Sequence, residues 1–261
     1  MPTGWVVSLP YFLTLGFLAG AVGFRMGWRT KRRVGLPVVQ GVLGWGAFVL
    51  AWSFVGPAGA AGAVGAWAVG STLASVYVFF GRPKETDERV LRASQYRSAM
   101  LDWLATGRGP ESAPVATGRA HLRELAIYLL AAIATANAAS IVLGAVLLNY
   151  MNAYVAALLR AARRPGMVFL LGWNVWSVVR VAAYVALGAA AASPLLRLAG
   201  SPGDRRSIER LAIGGVVGVV TDLVLKLALS RPAGRALAGA VDLDAARDNR
   251  PSRAELTLDL S

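Results

Sequence analysis

Cysteine is absent from this chain of 261 residues, and histidine occurs only once, at His121. A chain without cysteine forms no disulfide, no thiolate metal site and no iron–sulfur cluster. A single histidine excludes a bis-histidine haem and a zinc site built from several histidines of one chain. We therefore expect no cofactor and no metal site.

Acidic residues are scarce as well, since 14 Asp and Glu accompany 27 Lys and Arg, which gives a formal net charge of +13. The basic residues cluster at the ends of apolar stretches rather than along one exposed face, which is typical of signals that set membrane topology. We expect the lipid bilayer to be a partner and nucleic acid not to be one.

Motifs of common chemistries are also missing. The sequence has no phosphate-binding loop with its lysine, no G-x-G-x-x-G, no H-E-x-x-H and no paired aspartates of the kind that hold magnesium for lipid or prenyl transfer. His121 lies just before an apolar stretch rather than inside one, so an intramembrane nucleophile with its base is not indicated. No residue is therefore assigned a catalytic role.

Apolar residues, in contrast, make up 56% of the chain, and only 16% of residues are charged. A bilayer core about 30 Å thick requires roughly 20 apolar residues for each helical crossing. We predict an all-α fold, a polytopic transmembrane helix bundle of about six spans in a cell membrane, such as a cell inner membrane, with a cytoplasmic amphipathic helix. The predicted spans are 5–24, 34–55, 59–80, 125–148, 167–192 and 211–229.

Charge also predicts the orientation of the first half. No basic residue precedes the first span, whereas Arg25, Arg29 and three further basic residues follow it, so we place the N-terminus outside. The second and third spans form a hairpin around Gly56 and Pro57. The chain divides into three helices in 1–80, a cytoplasmic loop in 81–124, three more helices in 125–229 and a solvated polar tail in 230–261.

The loop 81–124 contains eight basic residues, as expected for a cytoplasmic segment. Apolar residues recur at helical spacing from Ala93 to Leu104, which indicates an amphipathic helix. Such a helix either lies on the inner leaflet or packs on the cytoplasmic ends of the protein's own helices. The run from Thr106 to Gly118 is rich in Gly, Pro, Ser and Thr and indicates a flexible loop.

The fourth span leaves two interpretations open. The apolar run continues past Leu148 to Leu159 without a turn signal, so either the helix overshoots the membrane or residues 149–159 bend into the interface or re-enter. A single crossing puts Arg160, Arg163 and the C-terminal tail outside, against the positive-inside rule. A re-entrant or double crossing returns the tail inside. Length favours six crossings, and the orientation of the second half stays open.

Three charged residues lie within the last two spans. Arg180 is near the middle of the fifth, Asp222 is near the middle of the sixth, and Lys226 follows Asp222 by one helical turn. Because unpaired charges at membrane depth are costly, we predict an Arg180–Asp222 ion pair. The three residues have one positive charge in excess and suit an anionic lipid or an anionic small molecule. Alternatively, the pair only locks two helices while Lys226 reaches the headgroups.

Asparagines form a second polar group in the spans. Asn174, Ser177 and Arg180 are spaced by three residues and would line one face of a polar cavity, although hydrogen bonds between helices are the commoner explanation for such asparagines. The candidate substrate or ion-pair cluster is therefore Arg180, Asp222, Lys226, Asn174 and Asn149.

The leading functional interpretation is a non-enzymatic integral membrane protein, either a transport or permease-type component or a membrane subunit with membrane-protein partners or copies of itself. In a transporter, Arg180 and Lys226 would hold a negative group, and Asp222 would hold Arg180 or carry a proton. One alternative is a membrane-embedded lipid-modifying enzyme with chemistry around His121, Arg123 and Glu124. Another is a purely structural assembly protein, whose polar cluster does not touch water.

Overall fold

The structure, a computed structural model, describes residues 4–109, 111–112, 114–201 and 203–248, and it describes side chains from residue 9 onward except those of 114–117. In these ranges the chain is helical and contains no β-strand. The helices are α1 (Gly4–Arg29), α2 (Gly35–Gly81), α3 (Pro83–Arg89), α4 (Ala93–Thr106), α5 (Pro114–Thr135), α6 (Ala138–Arg160), α7 (Pro165–Leu171), α8 (Val175–Leu198), α9 (Arg205–Ala240) and α10 (Leu243–Arg247).

α2 bends back on itself at Gly56. This residue has φ of 76°, a conformation that favours glycine, and Pro57 follows it. The Trp67 indole Nε1 donates a hydrogen bond to the Gln40 carbonyl oxygen at 3.0 Å, whereas a straight helix would hold these residues about 40 Å apart. α2 therefore consists of two antiparallel arms, 35–55 and 57–81, and the predicted hairpin is confirmed.

α1 packs into this hairpin through glycines. A Cβ atom at Gly16 would overlap the carbonyl oxygen of Ala63, and one at Gly20 would overlap that of Trp67. Backbones that approach this closely through small residues are typical of helices packed within a membrane. Because both contacts advance in the same direction, α1 runs parallel to the second arm of α2.

At one end of the bundle, α1 ends, α2 both begins and ends, and α3 follows. We call this the basic end. Here the Arg33 Nε donates to the Glu88 carbonyl oxygen at 2.6 Å. The opposite end contains the bend at Gly56 and the connection from α8 to α9, whose Gly203 lies against the Trp52 ring. α8 therefore runs from the basic end to the opposite end, and α9 returns.

α5 and α6 form a second hairpin, which turns half-way along the bundle. Ala136 and Asn137 connect the two helices with positive φ values of 47° and 73°. The Trp45 indole Nε1 donates to the Ala136 carbonyl oxygen at 3.0 Å, and Trp45 lies midway along the first arm of α2. α6 then returns to the basic end, where Arg160 donates to the Phe79 carbonyl oxygen at 2.6 Å.

The single helix predicted over 125–148 is therefore wrong. No glycine or proline marks the turn in the sequence. Tertiary contacts hold it instead, namely the Trp45 hydrogen bond and the Ser140 hydroxyl, which donates to Asn137 Oδ1 at 2.5 Å. Residues 149–159, for which a bend or re-entry was open, continue α6 without a break.

The last two predicted spans also differ from the helices. Asn174, with φ of 50°, separates α7 from α8, so the predicted span 167–192 is interrupted, although the stretch Pro165–Leu198 is long and apolar enough to cross a membrane. α9 extends beyond 211–229 and brings the Ala240 carbonyl oxygen to the Arg163 amide nitrogen at 2.8 Å. The tail expected to be solvated from 230 is thus helical as far as Ala240, with Leu237 buried. Residues 249–261 of the predicted tail lie outside the described residues.

The amphipathic stretch of the predicted cytoplasmic loop corresponds to α4. Its Met100 and Trp103 are buried together with Tyr154 of α6 and Leu237 of α9. The apolar face of α4 therefore packs on the protein's own helices.

Among the described residues, five helical stretches are long and apolar enough to cross a membrane, judged by length and composition: α1 from Leu9, α2, α6, the α7–α8 stretch and α9. Large apolar side chains remain exposed around the bundle, among them Leu130 at 67% and Leu227 at 63%. Extensive exposed apolar surface marks contact with lipid or with another apolar surface. The structure thus supports the coarse prediction of a helical protein of the membrane class.

The glycine contacts between α1 and α2 can be tested with Gly70→Ala. A Cβ atom here would overlap the Phe17 carbonyl oxygen, so we expect a loss of roughly 1–3 kcal/mol of stability from overpacking. Gly65→Ala, in the same arm, meets open space and should be neutral or stabilising by up to about 1 kcal/mol. Thermal unfolding in one detergent measures both, and equal melting temperatures would contradict the close packing.

Candidate functional site

A cavity of about 620 Å³ lies between the second arm of α2 and helices α4, α5, α6, α8 and α9. Its size is within the range of small-molecule binding sites. One part of the wall is apolar, and this part is formed by Val64, Trp67, Ile141, Leu148, Val181 and Val185.

Arg180 lines the cavity and is held by Asp222. The Arg180 Nε and Nη2 atoms donate to the two carboxylate oxygens of Asp222 at 2.8 and 2.9 Å. The Asp222 side chain is 3% exposed and the Arg180 side chain 19% exposed. Bidentate pairs of this kind are among the strongest side-chain hydrogen bonds. The ion pair predicted between the last two spans is thus present, and it joins α8 to α9.

Lys226 pairs with a residue that the sequence did not single out. Its Nζ lies 3.0 Å from Oε2 of Glu111, and the same oxygen accepts a hydrogen bond from the Trp176 Nε1 at 2.9 Å. The Lys226 and Glu111 side chains are 5% and 7% exposed. Glu111 belongs to the segment between α4 and α5 that was predicted to be a flexible loop, yet its carboxylate is buried against α8 and α9.

The charges of this cluster are balanced in the structure. The excess positive charge expected for Arg180, Asp222 and Lys226 is offset by Glu111. Removing one partner of a buried ion pair commonly costs about 3–5 kcal/mol because the other charge remains buried. With Glu111 in place, the two basic and two acidic side chains of the cluster have no net charge.

His121 lines the same cavity from α5. Burial, and then the positive charges of Arg180 and Lys226, lower the pKa of His121 to about 3. Its Nδ1 is buried without a hydrogen-bond partner among the described residues. A neutral imidazole keeps one donor and one acceptor, and so it can interact with a polar ligand group.

Tyrosine hydroxyls add further donors and acceptors to the lining. The Tyr184 hydroxyl donates to the His121 carbonyl oxygen at 3.4 Å. The tyrosines that line the cavity are Tyr96, Tyr128, Tyr150 and Tyr184.

The mouth of the cavity lies between α4 and α5. The exposed lining residues are Arg92 and Gln95 at the start of α4 and Ala120 and Glu124 on α5. Toward the opposite end of the bundle, the space is filled by a packed cluster that includes Trp52. The cavity therefore opens near the basic end.

The two asparagines of the predicted cluster lie outside the cavity lining. Asn149 Nδ2 donates to Gln40 Oε1 at 2.7 Å, so it joins α6 to the first arm of α2. Asn174 precedes α8 at the break after α7. The structure thus brings Arg180, Asp222 and Lys226 together and places both asparagines elsewhere. In the described part of the chain, no group of His, Asp and Glu is arranged to hold a metal ion.

Sequence reasoning missed Glu111, Trp176 and the tyrosines. One signal was available for Glu111, because it is the only acid between Thr106 and Gly118 while the last two spans have one positive charge in excess. The tyrosines offer no comparable signal, because an aromatic residue on an apolar helix is most often a packing residue.

No protein-family model matches this chain, and neither a curated protein nor a solved structure shows significant similarity to it. The fold and the cavity define the protein by class only, as a helical protein whose described part has five stretches long and apolar enough to cross a membrane.

The Arg180–Asp222 pair predicts a pattern of stabilities. Arg180→Ala and Asp222→Ala should each lose about 3–5 kcal/mol, and the double variant should recover most of that loss, because no buried charge is left unpaired. Glu209→Ala breaks an exposed pair with Arg205 and should change stability by no more than about 1 kcal/mol. Unfolding is measured for all four in the same lipid. A double variant as unstable as the sum of the singles contradicts the pairing.

The single histidine predicts a pH effect. The ring of His121 should stay neutral at pH 5, whereas in an unfolded chain it has a pKa of about 6.5. Between these two pKa values the unfolded chain binds a proton that the folded chain does not, so stability falls as the pH decreases from about 6.5 toward 3. Ring ¹⁵N NMR of the tag-free protein reads this residue directly. A folded-state titration near pH 6.5 would show that the imidazole is not buried beside the two cations.

Proposed function

We propose that this protein is a multi-pass integral membrane protein with five crossings and one re-entrant hairpin. The crossings are α1, the two arms of α2, α8 and α9, and the hairpin is α5 with α6. Two observations support the re-entrant hairpin. The turn at Ala136 lies beside Trp45, midway along an arm of α2, and Arg160 at the end of α6 lies at the basic end. A membrane protein accepts such a segment where it is buried in protein.

In this topology the basic end faces the cytoplasm. The positive-inside rule then holds for both halves of the chain, because Arg163 and the end of α9 lie at the same end as the basic residues after α1. α1 then begins outside, and α9 ends on the cytoplasmic side.

We propose further that the cavity is the binding site of a transport or permease-type component for an amphipathic small molecule. The observation that supports this most is that one cavity, with its mouth at the basic end, is lined by both an apolar wall and a buried ionic cluster. An apolar chain would lie along Ile141 and Val185, and a negative group would meet Arg180 and Lys226. The ligand would reach the mouth from the cytoplasm or from the inner leaflet.

A second candidate function is a lipid-modifying enzyme. It is favoured by a specific observation, since a neutral His121 and the acidic Glu124 line the mouth side of the same cavity on one helix. In that case Glu124 would act as the general base, and the neutral His121 would orient the lipid headgroup. In a lipid-modifying enzyme, His121→Asn should abolish turnover of added lipid and leave lipid binding intact. In a transport component, the same variant should keep its transport activity.

Water access to the cavity separates these functions from a purely structural role. Ser177 lines the cavity at 8% exposure, and the adjacent Val178 faces outward at 56% exposure. In a cysteine-free chain, Ser177→Cys should react with a charged, membrane-impermeant thiol reagent added to the basic side of vesicles. Val178→Cys should not react, because lipid covers it.

The opposite order of reactivity, or an unreactive Ser177→Cys, would contradict a ligand cavity and favour a dry structural cluster. If the protein transports, Ser177→Cys should also react slowly from the other side of the membrane, as expected for a site with alternating access.

A further inference from the structure

The carboxylate of Glu111 occupies a position suited to the acidic group of a ligand. Its Oε2 lies 3.0 Å from the Lys226 ammonium and 2.9 Å from the Trp176 indole nitrogen. Both donors are buried, and Glu111 and Lys226 line the cavity. An ammonium and an N–H donor that converge on one oxygen form a binding site for a carboxylate or a phosphate.

The acceptor and the donors of this contact are held differently. Trp176 belongs to α8 and Lys226 to α9, and these helices are fixed to each other by the pair of Arg180 and Asp222. Glu111 belongs to the short connection between α4 and α5, which begins at Gly107 with φ of 68°. Displacement of the Glu111 carboxylate leaves the two donors on helices that the Arg180–Asp222 pair joins.

We propose that Glu111 is a built-in competitor for an amphipathic anion, whose carboxylate or phosphate group displaces the Glu111 carboxylate from Lys226 and Trp176. This inference rests on the proposed function, namely that the cavity is a ligand site. The apolar wall then holds the chain of the ligand, and the cluster keeps its charge balance because one anion replaces another.

The balance of charge explains why the ligand is an anion. When the Glu111 carboxylate leaves, Arg180, Asp222 and Lys226 have one positive charge in excess. A neutral headgroup does not replace the lost negative charge, so it binds with Glu111 in place. An anionic headgroup replaces the charge and thereby couples its own binding to the release of Glu111.

The test compares octyl phosphate with octanol on the full chain in amphipol, with binding measured by calorimetry. Glu111→Gln removes the competing charge and should tighten octyl phosphate by about tenfold, while octanol should change by less than about twofold. Glu209→Gln, an exposed acid at the opposite end of the bundle, should change neither. An unchanged octyl phosphate affinity in Glu111→Gln, with octanol still bound, overturns the competition and leaves the proposed function standing.

If neither probe binds the wild type or Glu111→Gln, the proposed ligand cavity itself is wrong.

A second measurement keeps the inference testable if Glu111→Gln does not fold. Ser112→Cys, next to Glu111, should be labelled at least about threefold faster in saturating octyl phosphate and not in octanol, because release of Glu111 frees its neighbour. Equal labelling rates with octyl phosphate bound overturn the inference.

Discussion

The hydrogen bond from the Trp45 indole to the Ala136 carbonyl oxygen supports the rest of this structure. A helical hairpin that turns inside an apolar bundle leaves backbone carbonyls outside the helical pattern, and an unpaired one is costly there. Trp45 supplies the missing donor half-way along α2. Because α5 and α6 meet at this level and α6 returns toward the basic end, the two helices leave a cavity against α8 instead of extending through the whole bundle.

The charges of the cavity depend on residues from distant parts of the chain. Arg180 and Asp222 balance each other between α8 and α9, whereas Lys226 is balanced by Glu111 from the connection before α5. Buried charges tolerate little change in their pairing. In our account the Arg180–Asp222 pair is the fixed part of the site because it joins two packed helices. The Glu111 carboxylate is the exchangeable part because the anionic group of a ligand takes its place.

The sequence predicted those features that follow from local chemistry. Gly56 and Pro57 mark the bend of α2, and two charges at similar depth in antiparallel spans imply the pair of Arg180 and Asp222. It did not predict the turn at Ala136, because a tryptophan far away in the chain stabilises it. Nor did it predict Glu111, because burial of a loop residue depends on tertiary packing. The positive-inside rule did indicate a problem with the fourth span, because a single crossing over 125–148 would place the basic residues that follow it outside.

The sidedness of the two ends of the α5–α6 hairpin tests the central claim most directly. Single cysteines at Arg123 and at the exposed Arg163 are labelled with an impermeant reagent in sealed vesicles, with Arg32→Cys marking the basic end and Arg206→Cys the opposite end. The account predicts that both react from the side of Arg32→Cys. Reaction of Arg123→Cys and Arg163→Cys from opposite sides would mean that the segment crosses the membrane, and it would contradict the re-entrant hairpin and the cavity that depends on it.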